Sequence, residues 1–585
     1  MIKLLLIVAT VLICSVNAQV TLTVDKLLLN QSNEVVTISW TGLTTTSLYD
    51  CIAIYSPSNS SITHPIGFLP LSTQSPSSWK LGYGTASLPL LNAKADYLFR
   101  LWVPGTVKPT LNVIPNVSLE LAATSPAVTF TNLNAPGKAY LSMTSQVNEM
   151  RLMWVSGTNN SVPTVFYGLS SDNLSQTATG ISLTYTINDM CAAPANSTDY
   201  WRDPGYIHDA VMTGLSPLTK YYYYFGSDSD GWSDVYSFIS PPLSGEGSEA
   251  FVIAYGDLGT NFPFIASVET QYPATETVQG IYNTISLPYN RNPFAKQLGL
   301  YRDDGDENQP FWNIHHIGDI SYARGIGFVW GYFLDSMQPL TTQCSYMVTI
   351  GNHEYDYMEQ PFKPSWSNYG TDSGGECGVP YQTRFHMPGG DDITTRNLWY
   401  SYNQGPIHYT VMSAEHDFLP GSPQYQWIVQ DLENVDRTQT PWVVFSGHRP
   451  FYTSALQESE YNMTKYLLDS IEPLLMKYDV NLVLTGHVHV YVRTAGIYNY
   501  TMAPTDNDAP VHVVVGMAGN TYSVPWDGSD VTDGNGHENL PEYVIFRAID
   551  YGFTRIYANM TSLYLEFVSN HRFLVHDSFW LQSKY

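Results

Sequence analysis

Five segments of this 585-residue chain end an apolar run on a glycine followed by side chains able to hold a cation. Phe251-Val252-Ile253-Ala254-Tyr255 runs into Gly256-Asp257, and Trp312 to Ile317 runs into Gly318-Asp319. Tyr346 to Ile350 ends at Gly351-Asn352-His353-Glu354, Trp442 to Ser446 at Gly447-His448, and Leu482 to Thr485 at Gly486-His487-Val488-His489. Carboxylate and amide oxygens together with imidazole nitrogens are the donors that metal ions take from proteins. A glycine beside each donor lets the turn be tight and the backbone come close to an ion. A lone Gly-Asp is usually only a turn, but an ordered series of five strand ends is far more specific. In layered α/β domains, sites gather at the carboxyl ends of strands, so Asp257, Asp319, Asn352, His448, His487 and His489 are expected to converge.

The elements around these segments follow from hydrophobic period. From the linker Pro241-Pro242-Leu243-Ser244-Gly245-Glu246-Gly247 onward, apolar runs end in glycine-containing turns with helical stretches between some of them, the grammar of an α/β layered domain. Tyr466 to Tyr478 reads as helix, with Pro473 either kinking it or opening a new first turn. Before the linker the chain alternates with period two. Val20 to Val24, Val35 to Trp40 and Tyr97 to Trp102 suggest a small β-sandwich over 19–125. Ala139 to Met143, Met150 to Trp154 and Lys220 to Phe225 suggest a second, fibronectin III-like sandwich over 126–242. The expected fold is therefore multidomain, all-β sandwiches followed by an α/β sandwich domain over 248–500, with 501–585 completing it.

Composition narrows the function. The net charge of −26 opposes nucleic acid at long range, and it requires any phosphate site to be locally positive. Residues 1–18 read as a signal peptide: Lys3, an apolar run from Leu4 to Val16, then Val16-Asn17-Ala18. No later run is long enough to span a membrane. Export implies an oxidising environment, where Cys51, Cys191, Cys344 and Cys377 allow two disulfides in three pairings. Acceptor sequons at Asn30, Asn59, Asn116, Asn159, Asn173, Asn196, Asn462, Asn499 and Asn559 agree with a secreted glycoprotein.

The five blocks resemble the metallophosphoesterase signature, and specifically that of purple acid phosphatases. The discriminating residue is Tyr322, after Gly318-Asp319-Ile320-Ser321, with Gly259 where most other metallophosphoesterases have histidine. Trp201 to Gly205, Asp372 to Pro380, Glu415-His416-Asp417, Pro510 to Gly516 and Asp577 to Trp580 also resemble the large plant-type members. The resemblance implies that Asp257, Tyr322 and His489 hold Fe(III). It implies that Asn352, His448 and His487 hold a divalent ion (Zn, Fe or Mn), and that Asp319 bridges the two. Two such ions clamp phosphoryl oxygens and lower the pKa of water. With every ligand position filled by the expected residue type, an active enzyme is expected.

His353, as the family implies, binds phosphate or protonates the leaving alcohol. Asn352 and Arg449 are further substrate-binding candidates, and Glu458 or Glu460 are alternative acids. His316 and His416 are read either as supports for a ligand or as core histidines. The expected function is hydrolysis of phosphate monoesters by a secreted acid phosphatase, with small-molecule substrates, no nucleic-acid partner and a possible homodimer. The alternatives are a nucleotide pyrophosphatase/phosphodiesterase at the same site, or a non-enzymatic glycosylated surface protein.

Overall fold

The computed structural model describes residues 19–107, 110–114, 116–300, 309–362, 370–390, 392–452, 458–522 and 541–585. The expected signal segment lies outside them, as do the side chains of Glu458 and Glu460. The chain divides into two compact units. The first takes the chain up to Thr131 together with Pro263–Val268. Strands Glu34–Thr41 and Gly84–Leu90 pair antiparallel there and alternate buried with more exposed residues, as half-buried strands do. A second sheet runs from Ile265–Ala266 through Gly67–Pro70, Cys51–Tyr55 and Leu98–Pro104 to Val117–Thr124 and Thr110–Ile114. Its core gathers Cys51, Ala53, Tyr55, Trp102, Leu111 and Leu119.

The second unit holds the five segments. Strands Ala250–Tyr255, Trp312–Ile317, Ser345–Thr349, Trp442–Ser446 and Leu482–Thr485 are buried at every position. They pair in parallel, three in one sheet and two in another, which explains their continuous apolar runs. The two sheets meet across a polar seam: Asn313 Nδ2 donates to the Tyr402 hydroxyl at 3.0 Å, and His315 Nε2 lies 2.9 Å from Ser446 Oγ. Helices Pro423–Glu433, Glu458–Ser470 and Glu472–Lys477 cover the second sheet, packing Ile428, Leu467 and Leu475 against Val443, Phe445 and Val483. Ser422 caps the first of these helices by accepting from Tyr425 N. The helix expected across Tyr466 to Tyr478 breaks at Ile471, and Pro473 sits in the first turn of the next one, where its missing N–H is harmless.

The fibronectin-like region shares a sheet with the α/β region rather than ending in a separate one. Its strand Gly137–Ser142 lies parallel to Ser345–Thr349, with Leu141 opposite Ser345, so that one sheet of ten strands spans both regions. Cross-linking side chains reinforce the join: Tyr140 donates to the Arg384 carbonyl at 2.6 Å and Thr341 to the Ala139 carbonyl at 2.8 Å. Of the two disulfides that the four cysteines allow, one is formed among the described residues. Cys191 pairs with Cys377, while Cys51 and Cys344 are buried free thiols. Burial pushes the Cys51 thiol up to about 12 and Cys344 higher still. Among the described residues no helix is long and apolar enough to cross a membrane.

Candidate metal centre

Strained turns aim the donors. Asp257, Asp319, Tyr322 and His487 have φ of +61°, +50°, +53° and +67°, a region that side chains other than glycine seldom occupy. Such conformations persist where the surroundings impose them, and they cluster at functional sites. Gly318 and Gly351 show why the blocks carry glycine. A Cβ on Gly318 would lie 2.3 Å from His448 Nδ1, and one on Gly351 would lie 2.3 Å from Asp319 Oδ1.

The structure brings the expected ligands together. Tyr322 Oη is 3.1 Å from Asp257 Oδ1, 3.3 Å from Asp319 Oδ2 and 3.0 Å from His489 Nε2. His448 Nε2 is 3.2 Å from Asp319 Oδ2 and 3.1 Å from Asn352 Oδ1. His487 Nδ1 is 3.0 Å from the same amide oxygen. Two three-residue groups result, Asp257/Asp319/His489 and Asp319/His448/His487, with Asp319 common to both.

Backbone carbonyls set the ring orientations. The Ile317 carbonyl lies 2.9 Å from His448 Nδ1, and the Thr521 carbonyl 2.5 Å from His489 Nδ1. A carbonyl only accepts, so each Nδ1 carries a proton and each Nε2 is the ring nitrogen turned toward the cluster. The amide of Asn352 is fixed in the same way: Nδ2 donates to Asp372 Oδ2 at 3.0 Å, which leaves Oδ1 facing the cluster.

The electrostatics fit cations. Asp257 and Asp319 are buried, and among the described residues neither carboxylate has a lysine or arginine partner. A buried carboxylate without a counter-charge is expensive, and lone pairs turned toward one another repel. Neighbouring groups take up part of the imbalance. Although burial works against the charged ring, the carboxylates of Asp319 and Asp257 raise His448 to about 10. Burial, then Asp257 and Asp319, push the Tyr322 phenol well above its ordinary range. Oxygen and imidazole donors converging on buried negative charge are what two multivalent ions require.

Of the other expected residues, His353 stands at the cluster's edge. Its Nδ1 donates to the Asp372 carbonyl at 3.0 Å, its Nε2 is 3.9 Å from Asp319 Oδ2, and its ring lies against Tyr322. Burial lowers its proton affinity, Arg324 adds to this, and Asp319 and Asp372 oppose it. Arg449, a candidate for binding phosphate, is held in an ion pair beside His487. Nε and Nη2 donate to both oxygens of buried Glu415 at 2.7 and 3.1 Å, and Nη1 is 3.2 Å from His487 Nε2. His316 bonds the Tyr346 hydroxyl at 2.7 Å, and His416 stacks on Tyr355 while bonding Ser413. Neither ring contacts a ligand through these bonds.

Three further residues shape the site although the sequence analysis gave them no role: Glu354, which closes the Gly351 block, Asp372, which opens a family-like segment, and Arg324. Glu354 accepts from the backbone N–H groups of Asp319, Ile320 and Gly351 at 2.9, 2.8 and 3.0 Å, binding two of the donor turns to each other. Its position three residues after Gly351 is the spacing of a capping box, the one signal that could have found it. Asp372 and Arg324 gave no comparable signal.

Stacked sheets with donors at the ends of parallel strands define a metallophosphoesterase. Residues 252–491 match the family described as calcineurin-like phosphoesterase. Residues 136–240 match "Purple acid Phosphatase, N-terminal domain", and 509–578 match "Iron/zinc purple acid phosphatase-like protein C". An Arabidopsis thaliana protein named "Probable inactive purple acid phosphatase 9" is 37% identical over 97% of this chain and 86% of its own length. A Hordeum vulgare "Nucleotide pyrophosphatase/phosphodiesterase" is 31% identical over 61% of this chain and 90% of its own. The solved structure of purple acid phosphatase PPD1 from yellow lupin seeds superposes with a TM-score of 0.80, at 29% identity and 97% coverage of both chains. The chain belongs to the purple acid phosphatase family.

Proposed function

We propose that this chain hydrolyses phosphate monoesters at a binuclear metal site. The observation that carries the reading is the pair of donor groups sharing Asp319. Asp257, Tyr322 and His489 would hold Fe(III), for which an anionic phenolate oxygen is a well-matched hard donor. Asn352, His448 and His487 would hold a divalent ion, Zn, Fe or Mn. When bound, such a pair supplies Lewis acidity toward phosphoryl oxygens and lowers the pKa of water.

The chain's own residues supply the rest. Asp319 and Tyr322, fixed by their strained turns, and Asn352, fixed by Asp372, keep the donors apart at set distances. His353 holds its Nδ1 proton on a carbonyl, so once acidic pH adds a second proton to the ring, Nε2 is the atom that would pass it to the departing alkoxide. Export through the secretory pathway belongs to the same reading. The Cys191–Cys377 disulfide, the sequons and the signal-like residues 1–18 support it.

The name "probable inactive", borne by four Arabidopsis thaliana relatives, makes the decisive test direct. Recombinant protein is analysed for metal and assayed with p-nitrophenyl phosphate across pH. Turnover at acidic pH with two metals per chain is expected. Full loading without turnover of any phosphate ester rejects the reading.

A further inference from the structure

The first unit carries a cleft that the metal chemistry does not use. Strands Thr21–Val24, Glu34–Thr41 and Gly84–Leu90 form a three-stranded antiparallel sheet. Alternation sends Leu22, Val36, Ile38, Trp40, Ala86 and Leu88 into the core. The same alternation leaves Thr21, Thr23, Ser39, Thr41, Thr85 and Ser87 on the outward face. Thr21 stands opposite Thr41, Thr23 opposite Ser39, and Ser39 opposite Thr85, so hydroxyls cross the sheet in rows.

At its Gly84 end this sheet borders an open cleft of about 610 Å³, within the roughly 300–1,000 Å³ of ligand sites. Ser39, Thr41, Ser75, Ser78 and Thr85 bring hydroxyls to it, and Trp40 and Tyr83 bring aromatic rings. Among the described residues, those lining it include no lysine, arginine, aspartate or glutamate. The groups a ligand would meet are at the surface: Tyr83 is 50% exposed, and Thr41 and Thr85 are exposed too. Ser75 is already committed. Its Oγ donates to the Thr85 carbonyl at 2.8 Å and accepts from Thr85 N at 2.9 Å. Those two backbone groups are the ones an added peptide strand would take, so strand addition is blocked at Thr85. Among the described residues the hydroxyls of Ser39, Thr41, Ser78, Tyr83 and Thr85 make no hydrogen bond within the chain.

We propose that this cleft binds a neutral oligosaccharide, one pyranose seated against Tyr83 and the next ones laid along the hydroxyl rows. Charge selects against other ligands. An anion finds no cation here and meets a chain of net charge −26, and a cation finds no carboxylate. A serine or threonine hydroxyl both donates and accepts, and so does each hydroxyl of a sugar. The exposed phenol ring adds a flat apolar face with a polar tip, which suits the C–H face of a pyranose and its hydroxyl rim. Binding of this kind would hold the chain on a glycan without engaging the metal centre.

The test is calorimetry on the full metal-loaded chain, with cellohexaose, xylohexaose and α-linked mannohexaose as probes and hexagalacturonate as their anionic counterpart. Cellohexaose and xylohexaose stand for β-linked polymers and mannohexaose for protein-bound glycans, so a preference for either supports the site and names its source. Wild type is expected to bind at least one neutral hexasaccharide, and hexagalacturonate more weakly. Tyr83→Ala should weaken that binding by about tenfold through loss of the ring, whereas Tyr83→Phe should keep most of it. Both variants change an exposed side chain and leave the core intact. No binding of any neutral hexasaccharide, equal affinity in wild type and Tyr83→Ala, or tighter binding of hexagalacturonate overturns the assignment.

Discussion

Asp372 shows how one hydrogen bond can decide what a ligand offers. An amide can present either end, and only its oxygen binds a cation. By accepting from Asn352 Nδ2, Asp372 turns Oδ1 toward His448 and His487. Asp372→Ala is expected to weaken binding at the second group by about 10- to 100-fold, as outer partners of metal ligands do. A metal titration of the purified variant reads this, and unchanged affinity would count against the geometry. Glu354 acts on backbone instead. Replacing it by alanine leaves three buried N–H groups without an acceptor. Each unsatisfied donor is costly, so Glu354→Ala should lower stability by about 3 kcal/mol or more. Urea unfolding of metal-free protein separates that effect from any loss of metal.

At the scale of elements, the segment Asp372 to Arg384 and helix Gly327–Thr341 share a buried carboxyl. Glu376 accepts from the Trp330 indole at 3.1 Å through both oxygens. Burial raises it from an ordinary 4.5 to about 8, partly offset by Trp330 and Arg384. The folded protein then keeps a proton that the unfolded chain gives up between those values. The stabilisation is complete below pH 4.5 and is lost as pH rises through 8. Glu376→Gln should flatten this part of the stability profile, which thermal melts from pH 5 to 8 would show. The contrast with the metal centre explains what sequence makes legible. The donor turns were visible because apolar strand, glycine and donor are consecutive, and the fully buried parallel strands match the continuous runs. Glu354, Asp372 and Arg324 act through contacts that leave no periodic mark. The continuity of the ten-stranded sheet rests on Leu141 meeting Ser345, a pairing that no local pattern encodes. The pairing of Arg449 was hidden for the same reason: its neighbour His448 is in sequence, but its partner Glu415 is 34 residues away.

For the molecule as a whole, the disulfide is the largest single constraint on the unfolded chain. Cys191 and Cys377 are 186 residues apart, so the bond closes a loop that holds the three parallel strands Ala250–Tyr255, Trp312–Ile317 and Ser345–Thr349. In the chain-entropy account a closure of that length is worth about 5 kcal/mol, against typical stabilities of 5–15 kcal/mol for a domain. The bond also joins the fibronectin-like region to the segment that supports the site: Cys191 N donates to Gly375 O at 2.9 Å and Ala195 N to Gly374 O at 3.1 Å. Cys51 and Cys344 cannot substitute for either partner, being buried thiols whose ionisation burial opposes. Chains lacking residues 1–18 should therefore show two titratable thiols when denatured without reductant, and almost none when native. A Cys191→Ser, Cys377→Ser double variant should unfold at distinctly lower urea concentration, with the loss present in metal-free protein. Equal midpoints for variant and wild type, or four thiols in the denatured count, would show that the bond does not form.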